Sequence, residues 1–315
     1  MTVRVYSSAD AGAPTLTGQA GSLTNLLDKV LVEGYGTVAP AGWEIVFTGT
    51  DKRAYRAIDV GGTRHFMQVI DDGSTPTNGA RTGLIRGYES MSDVENGTAA
   101  FPTVEQQANG LYINKSSTLD GAARPWMAFS DLHTLWIWTA WLASTPTRGS
   151  IHGFGDLLSF SGAADAHRAF IFGSEVLTST SLNSYSGAMN LAAHAAISRV
   201  SVIGQYLARS VDGVTMSPPA AWISAGGGAA PGEAGLEQPS AVSSSYDLSP
   251  IAMYVPNSEL RGVMPGLYNI VGKTGGLTSP EAFGSSLSLQ GRAVQLLPIK
   301  ALNSAIAIDT TGPWQ

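Results

Sequence analysis

The chain contains no cysteine, which excludes disulfide bonds and thiolate metal sites and fits synthesis in a reducing cytosol. Long apolar runs are also missing. A membrane helix needs roughly 18 to 20 apolar residues, whereas the two longest candidates, 128–142 and 191–207, are interrupted by acidic or basic residues and by histidines. We therefore expect no contact with a membrane. The first residues lack a basic segment followed by an apolar one, so we also expect no signal peptide.

Charge is scarce, at 13% of residues, and the formal net charge is −6 at pH 7. Lys and Arg are scattered singly, which argues against a nucleic-acid-binding surface. The five histidines, at positions 65, 133, 152, 167 and 194, show no metal-ligand spacing. We therefore predict no nucleic acid, no metal and no cofactor.

Motifs of catalysis are missing as well. No serine lies in a G-x-S-x-G turn, and the glycines at 226–228 are not followed by Lys-Ser/Thr, as a phosphate loop requires. We therefore predict that the chain is not an enzyme and has no catalytic, cofactor-binding or metal-binding residues. A glycosidase carboxylate pair stays open at this point, because sequence does not show the distance between two acids.

One amphipathic helix is predicted over residues 22–33. Leucine and valine at positions 23, 26, 27, 30 and 31 form one apolar stripe at helical spacing. Ser22 is the expected N-cap, and Gly34 is the expected residue of positive φ after the helix. The helix should therefore pack one face onto a sheet.

Short strands separated by Gly, Asn and Asp turns make up most of the remaining chain. The predicted strands are 2–7, 43–47, 53–58, 65–70, 81–89, 111–114, 126–130, 135–141, two within 151–173, 251–255, 267–271, 287–289, 293–299 and 305–308. Their spacing is too tight for βαβ units and favours antiparallel pairing. Segment 191–207 fits either a helix or two strands. The prediction is a mainly β protein, with sandwich or barrel-like antiparallel sheets and a minor α part.

Residues 218–250 have no periodicity and are rich in Gly, Pro and Ser, so we predict a long loop that a partner orders. The length of 315 residues suggests two β-rich domains, 1–145 and 146–315. A single large β domain is the alternative.

Three constellations have both a structural and a functional interpretation. Trp136 and Trp138 alternate along one strand face, and we favour core packing over a sugar-stacking platform. Asp131 and His133 could form an acid/base dyad, but turn capping by Asp131 explains them. For Asp71-Asp72-Gly73 we prefer a turn to a calcium loop, because alternating oxygen ligands and a terminal Glu are missing.

Three segments carry a resemblance to a known family. They are VYSSADAGAPTLTGQAGSLTNLLDKVLVEGYG at 5–36 with the Ala-Gly-Trp of 41–43, RGYESMSDVENGTAAFPT at 86–103, and DTTGPWQ at 309–315. In order and spacing the chain resembles a family of virion structural proteins of tailed bacteriophages. The likeness spans nearly the whole chain, but these segments are not chemical motifs and bring no catalytic residue.

The resemblance implies a building block of the phage particle, made in the host bacterial cytoplasm and located in the virion. Its partners would be copies of itself and other virion proteins, such as major capsid or tail proteins. Capsid decoration is marginally favoured over a tail, collar or baseplate position. An alternative of another class is a module that binds or cleaves host glycans through Trp136, Trp138, Trp141 and Trp222. A scaffold or chaperone that leaves before maturation is a third.

Overall fold

The computed structural model describes residues 3–75, 79–140, 149–174, 203–214, 221–223, 237–238, 248–255, 259–270, 273–274, 287–289, 292–298 and 305–314. Strands form 49% and helices 9% of the structure, and the sheets are antiparallel and curl into half-barrels. The predicted fold class is therefore confirmed. The one parallel pair among the described strands joins residues 237–238 to residues 273–274.

The strands alternate with tight turns along the chain. They are β1 (Arg4–Ser7), β2 (Trp43–Gly49), β3 (Lys52–Ala57), β4 (Phe66–Ile70), β5 (Thr82–Met91), β6 (Gly97–Phe101), β7 (Leu111–Asn114), β8 (Trp126–Ser130), β9 (Thr134–Ala140), β10 (Gly149–Asp156), β11 (Leu158–Ser159), β12 (Ala169–Ser174), β13 (Ile203–Leu207), β14 (Ala221–Ile223), β15 (Glu237–Gln238), β16 (Leu248–Val255), β17 (Glu259–Ile270), β18 (Lys273–Thr274), β19 (Leu287–Leu289), β20 (Arg292–Pro298) and β21 (Ala305–Asp309). Most were predicted to within two residues. The sequence prediction missed β6, β11, β14, β15 and β18.

Two large sheets contain nearly all of these strands. The larger sheet runs in the order β1-β8-β9-β10-β12-β7-β5-β4-β3-β2, with β13 beside β12 and β6 beside β5. The smaller sheet runs β14-β16-β17-β21-β20-β19, with β11 beside β17. β9 pairs with β10 along seven residue positions, from Ala140–Gly149 to Thr134–Gly155. The domain boundary predicted at residue 145 lies between these two paired strands, and the division into two domains stays a prediction.

The predicted helix begins as α1 (Ser22–Leu27) and continues as a π-helical segment, Asp28–Glu33. Its five apolar stripe residues are completely buried, as predicted, and Gly34 has the expected positive φ of 79°. The predicted cap is wrong. Ser22 donates its hydroxyl to the carbonyls of Thr17 and Gln19, and Gly21 occupies the N-cap position in the left-handed conformation. Two 3₁₀ turns, Gly79–Arg81 and Gly162–Ala164, complete the described helical elements.

The larger sheet has an apolar core on each side. Its concave side holds the helix stripe together with the ring systems of Trp43, Tyr55, Phe101 and Trp126. Its other side packs against the smaller sheet, and that core contains Trp136, Trp138, Phe170, Met264, Leu267 and Trp314, among others. β8, β9, β10 and β12 are buried along their whole length. The prediction that 135–141 is a central strand covered on both faces is therefore confirmed.

The ambiguous segment 191–207 ends in a strand, β13, and its first part, 191–202, lies outside the described residues. The loop predicted over 218–250 contains β14, β15 and the start of β16. The prediction of one unbroken loop is wrong at those positions, where short stretches pair with partners distant in sequence. The other residues of 218–250 lie outside the described part of the chain.

Candidate functional site

Charged and imidazole side chains concentrate at one end of the larger sheet, which we call the charged end. It is formed by the β3–β4 loop (residues 58–65), the start of β9, the end of β10 and the start of β12. Three of the five histidines of the chain, at 65, 133 and 167, lie here. The charged end is therefore the candidate functional site of the described structure.

The β3–β4 loop is fixed to the sheet by Asp156 and Arg168. Asp156 accepts hydrogen bonds from the backbone N–H of Thr63 at 2.7 Å and from its hydroxyl at 2.5 Å. Arg168 donates to the carbonyl of Gly61 at 2.7 Å and lies 3.3 Å from the Asp156 carboxylate. Asp156 and Arg168 are both buried. Because a buried charge requires a partner, this pair and the loop conformation depend on each other.

Asp131 and His133 do not form a dyad. Oδ1 of Asp131 accepts the backbone N–H groups of His133 and Thr134 at 2.8 and 2.7 Å, as the preferred turn interpretation predicted. Burial raises the pKa of Asp131, against the opposing effect of these two hydrogen bonds. The partner of His133 is instead Asp59, whose Oδ2 lies 2.6 Å from Nε2. No local pattern indicates this pair, because 74 residues separate its members.

A small cleft lies beside the His133–Asp59 pair. Its walls include the rings of Trp43, Phe154, His65 and His133 and the backbone of Gly62. The enclosed volume is about 10 Å³, which is close to the space of one water molecule. Burial lowers the pKa of His65, so this ring favours its neutral form. The cleft in this form has no room for a sugar ring or an organic cofactor.

Two further ion-pair groups bind the neighbouring elements together. Arg209 forms a two-pronged contact with Glu89, at 2.5 and 2.8 Å, and Nδ1 of His167 lies 3.6 Å from the same carboxylate. Arg261 of β17 reaches across from the smaller sheet to Asp165 at 2.7 Å, and both side chains are fully buried. The Arg261–Asp165 pair therefore connects β17 of the smaller sheet to the segment that precedes β12 of the larger sheet.

A separate buried ion pair lies under the start of α1, outside the charged end. Lys115, after β7, contacts Asp71, after β4, and neither side chain is exposed. Nζ of Lys115 also donates to the carbonyl of Gln19 at 2.8 Å, and Oδ2 of Asp71 accepts the N–H of Leu23 at 2.7 Å. The predicted turn at 71–73 exists, since Asp72 accepts the N–H of Ser74 at 2.9 Å. What the sequence missed is the burial of Asp71.

The tryptophan interpretation favoured from sequence is confirmed for two residues. Trp136 and Trp138 are completely buried, and the indole of Trp136 donates to the carbonyl of Pro265 at 2.8 Å. Neither can present a stacking surface to a sugar, so both are wrong as glycan-binding candidates. Trp141 and the side chain of Trp222 lie outside the described part of the structure.

His152 is a buried histidine on the concave face of β10. Its Nε2 lies 2.8 Å from the hydroxyl of Ser150, and its Nδ1 has no hydrogen-bond partner. Burial lowers the pKa of His152 to about 3. This imidazole is therefore neutral at physiological pH and contributes to packing rather than to proton transfer with solvent.

Over the residues with described structure, no three His, Asp or Glu side chains are arranged to hold a metal ion. Within the same residues, no helix has the length and apolar character that crossing a bilayer requires. A scan against protein-family models and a search of curated proteins both find no match to this chain.

Proposed function

We propose that this chain is a non-enzymatic structural component of a tailed-phage virion, which assembles with copies of itself and with other virion proteins such as the major capsid or tail proteins. Its location would be the virion, with capsid decoration favoured over a tail, collar or baseplate position. The proposal starts from the resemblance of segments 5–36, 86–103 and 309–315 to virion structural proteins.

The observation that carries the proposal is that several charged side chains of the described residues form buried ion pairs within the fold. The buried pairs Lys115–Asp71 and Arg261–Asp165 join elements that are 44 and 96 residues apart in the chain, and the buried pair Arg168–Asp156 fixes the β3–β4 loop. Breaking such a pair by removing one partner typically costs about 3 to 5 kcal/mol. A fold cross-linked in this way suits a particle component that must keep its shape for long periods.

The surface at the charged end supports contact with a neighbour. Six of the large apolar side chains exposed among the described residues lie on loops or strand ends there: Ile58, Val60, Phe160, Val211, Val214 and Leu260. Val60 is 81% exposed, although Asp156 and Arg168 hold its loop rigidly. The same surface carries acidic and basic groups, as in Glu44 beside Arg64 at 3.4 Å. Mixed charge around apolar side chains allows the surface to bind a second copy of this chain.

Binding to particles tests this proposal. Particles assembled without the chain should take up purified protein until a fixed number of sites is filled. The double variant Ile58→Asp with Val60→Asp should reduce this uptake at least tenfold, because it places two charges in the apolar contact. Leu119→Asp is the matched control, since Leu119 is also exposed, at 66%, but lies on a different loop, after β7. Unsaturable or absent uptake of the unchanged protein would contradict the proposal.

A further inference from the structure

The environment of Lys115 and Asp71 is unusual for an ion pair. Both side chains have no exposed surface. Around them lie the backbone of the Gln19–Leu23 turn and the hydroxyl of Ser22. Taking both charges out of water costs several kcal/mol for each ion. A pair of neutral groups, or one covalent group, would avoid that cost.

Nζ of Lys115 lies in direct contact with Oδ1 of Asp71. The other carboxylate oxygen, Oδ2, accepts the N–H of Leu23 at 2.7 Å. One oxygen therefore faces the amine, while the other is held by a backbone donor that would stabilise negative charge on it. A donor placed at a developing oxyanion is the usual device for acyl transfer.

Burial increases the population of the neutral form of this pair. Burial raises the pKa of Asp71 to about 6, against the opposing effect of Lys115. Burial also lowers the pKa of Lys115. Both shifts favour transfer of one proton from the ammonium to the carboxylate, which leaves an amine and a carboxylic acid. An amine with a free electron pair is the form that attacks a carbonyl carbon.

We propose that Lys115 and Asp71 join in an intramolecular isopeptide bond, with this fold as the only catalyst. The Nζ electron pair attacks Cγ of Asp71, and the negative charge develops on Oδ2, beside the Leu23 N–H. The Cγ–Oδ1 bond then breaks, and the hydroxyl leaves as water with a proton from Nζ. Amine plus acid gives amide plus water, so nothing is oxidised or reduced.

Ser22 is a positioning residue for the amine of Lys115. Its hydroxyl oxygen accepts a hydrogen bond from Nζ at 3.3 Å and orients the amine. The proton can pass directly from Nζ to the leaving oxygen, because Nζ is in contact with Oδ1 of Asp71. The new bond would connect the ends of β4 and β7, which are 44 residues apart in the chain. A covalent link of that span stabilises a fold by restricting its unfolded chain. This inference does not depend on the proposed function.

Mass spectrometry of the denatured full-length chain tests the bond. The expected mass is lower than the sequence mass by one water molecule. A tryptic digest should contain one branched peptide that joins the segments around residues 71 and 115, and trypsin should not cleave after Lys115. Lys29 is the internal control. It pairs with Glu33 on the surface, with 37% and 49% of the side chains exposed, and trypsin should cleave after it.

Two variants keep the test decisive whether or not they fold, because the masses are read under denaturing conditions. Lys115→Arg should have its full sequence mass, and Asp71→Asn should form the same amide by losing ammonia instead of water. Ring closure at Asp72-Gly73 would also lose water, but it leaves no branched peptide. An unmodified chain with a full mass and normal cleavage after Lys115 would overturn the proposal, and so would loss of water without the branched peptide.

Discussion

Gly153 of β10 lies directly opposite Trp136 of β9, and its missing side chain makes the space for the indole ring. A Cβ on Gly153 would lie 2.2 Å from Cζ3 of Trp136. The same arrangement recurs at Gly149, where a Cβ would lie 2.2 Å from Cε2 of Trp138. Two glycines therefore determine how two large rings fill the core between the sheets.

Gly153→Ala should destabilise the fold by about 1 to 3 kcal/mol, which is the usual cost of overpacking a core. The ring of Trp136 cannot move freely, since it donates to Pro265 and packs against Phe170 at 5.3 Å between centroids. Urea unfolding measures the change. Gly312→Ala is the control, because a Cβ there meets no atom within 4 Å. Equal stability of the two variants would contradict this packing.

Removal of the terminal segment 310–315 should destabilise the isolated chain. An aromatic residue in a terminal segment suggests a contact made on assembly. Trp314 is instead 6% exposed and belongs to the core between the sheets. Its indole donates to the carbonyl of Asp309 at 2.8 Å and covers Gly266. Trp314→Ala should cost about 3 to 5 kcal/mol, measured by denaturant unfolding. A truncated chain of unchanged stability would show that the segment acts only in assembly.

The buried pair Arg261–Asp165 should show strong coupling. Either Arg261→Met or Asp165→Asn should cost about 3 to 5 kcal/mol, because each leaves a buried charge without its partner. Arg261→Met combined with Asp165→Leu should be less destabilised than the sum of the single changes. A double-mutant cycle by urea unfolding gives the coupling energy. If the two single changes in unfolding free energy simply add, the Arg261–Asp165 pair does not stabilise the fold.

His152 should make the fold sensitive to acid. Its pKa is about 3 in the folded chain and about 6.5 in the unfolded chain. Below pH 6.5 only the unfolded state binds the proton, so folding loses about 1.4 kcal/mol for each pH unit down to pH 3. His152→Gln should lessen this loss, measured as the difference in unfolding free energy between pH 7 and pH 4.5.

The control for His152 is His133→Gln, because the His133 side chain is partly exposed and its Nε2 lies 2.6 Å from the carboxylate of Asp59. That variant should not lessen the loss of stability in acid. If His152→Gln and the unchanged protein lose the same free energy between the two pH values, His152 is not the buried neutral group described above.

Local sequence patterns predicted the local structure well. The apolar stripe of residues 22–33 specified a helix with one buried face, and the apolar residues on both faces of 135–140 specified a central strand. Neighbouring residues carry both signals by themselves. The strand β6 was missed because Gly-Thr-Ala-Ala-Phe has low strand propensity and gains its place only by pairing with β5.

Long-range polar pairs could not be predicted in the same way. Nothing near Asp59 in sequence points to His133, and nothing near Asp71 points to Lys115. These pairs form because curled sheets bring strand ends together, which depends on strand order rather than on local pattern. The charged end and the Lys115–Asp71 pair are therefore properties of the topology.

The copy number of this chain in purified phage particles tests the central claim most directly. Quantitative mass spectrometry against the major capsid protein measures it. A structural component should be present at a fixed ratio in every preparation. Equimolarity or a simple fraction of the capsid lattice would indicate decoration, and a few to a few dozen copies would indicate the tail, collar or baseplate. Absence of the chain from purified particles would contradict the structural role.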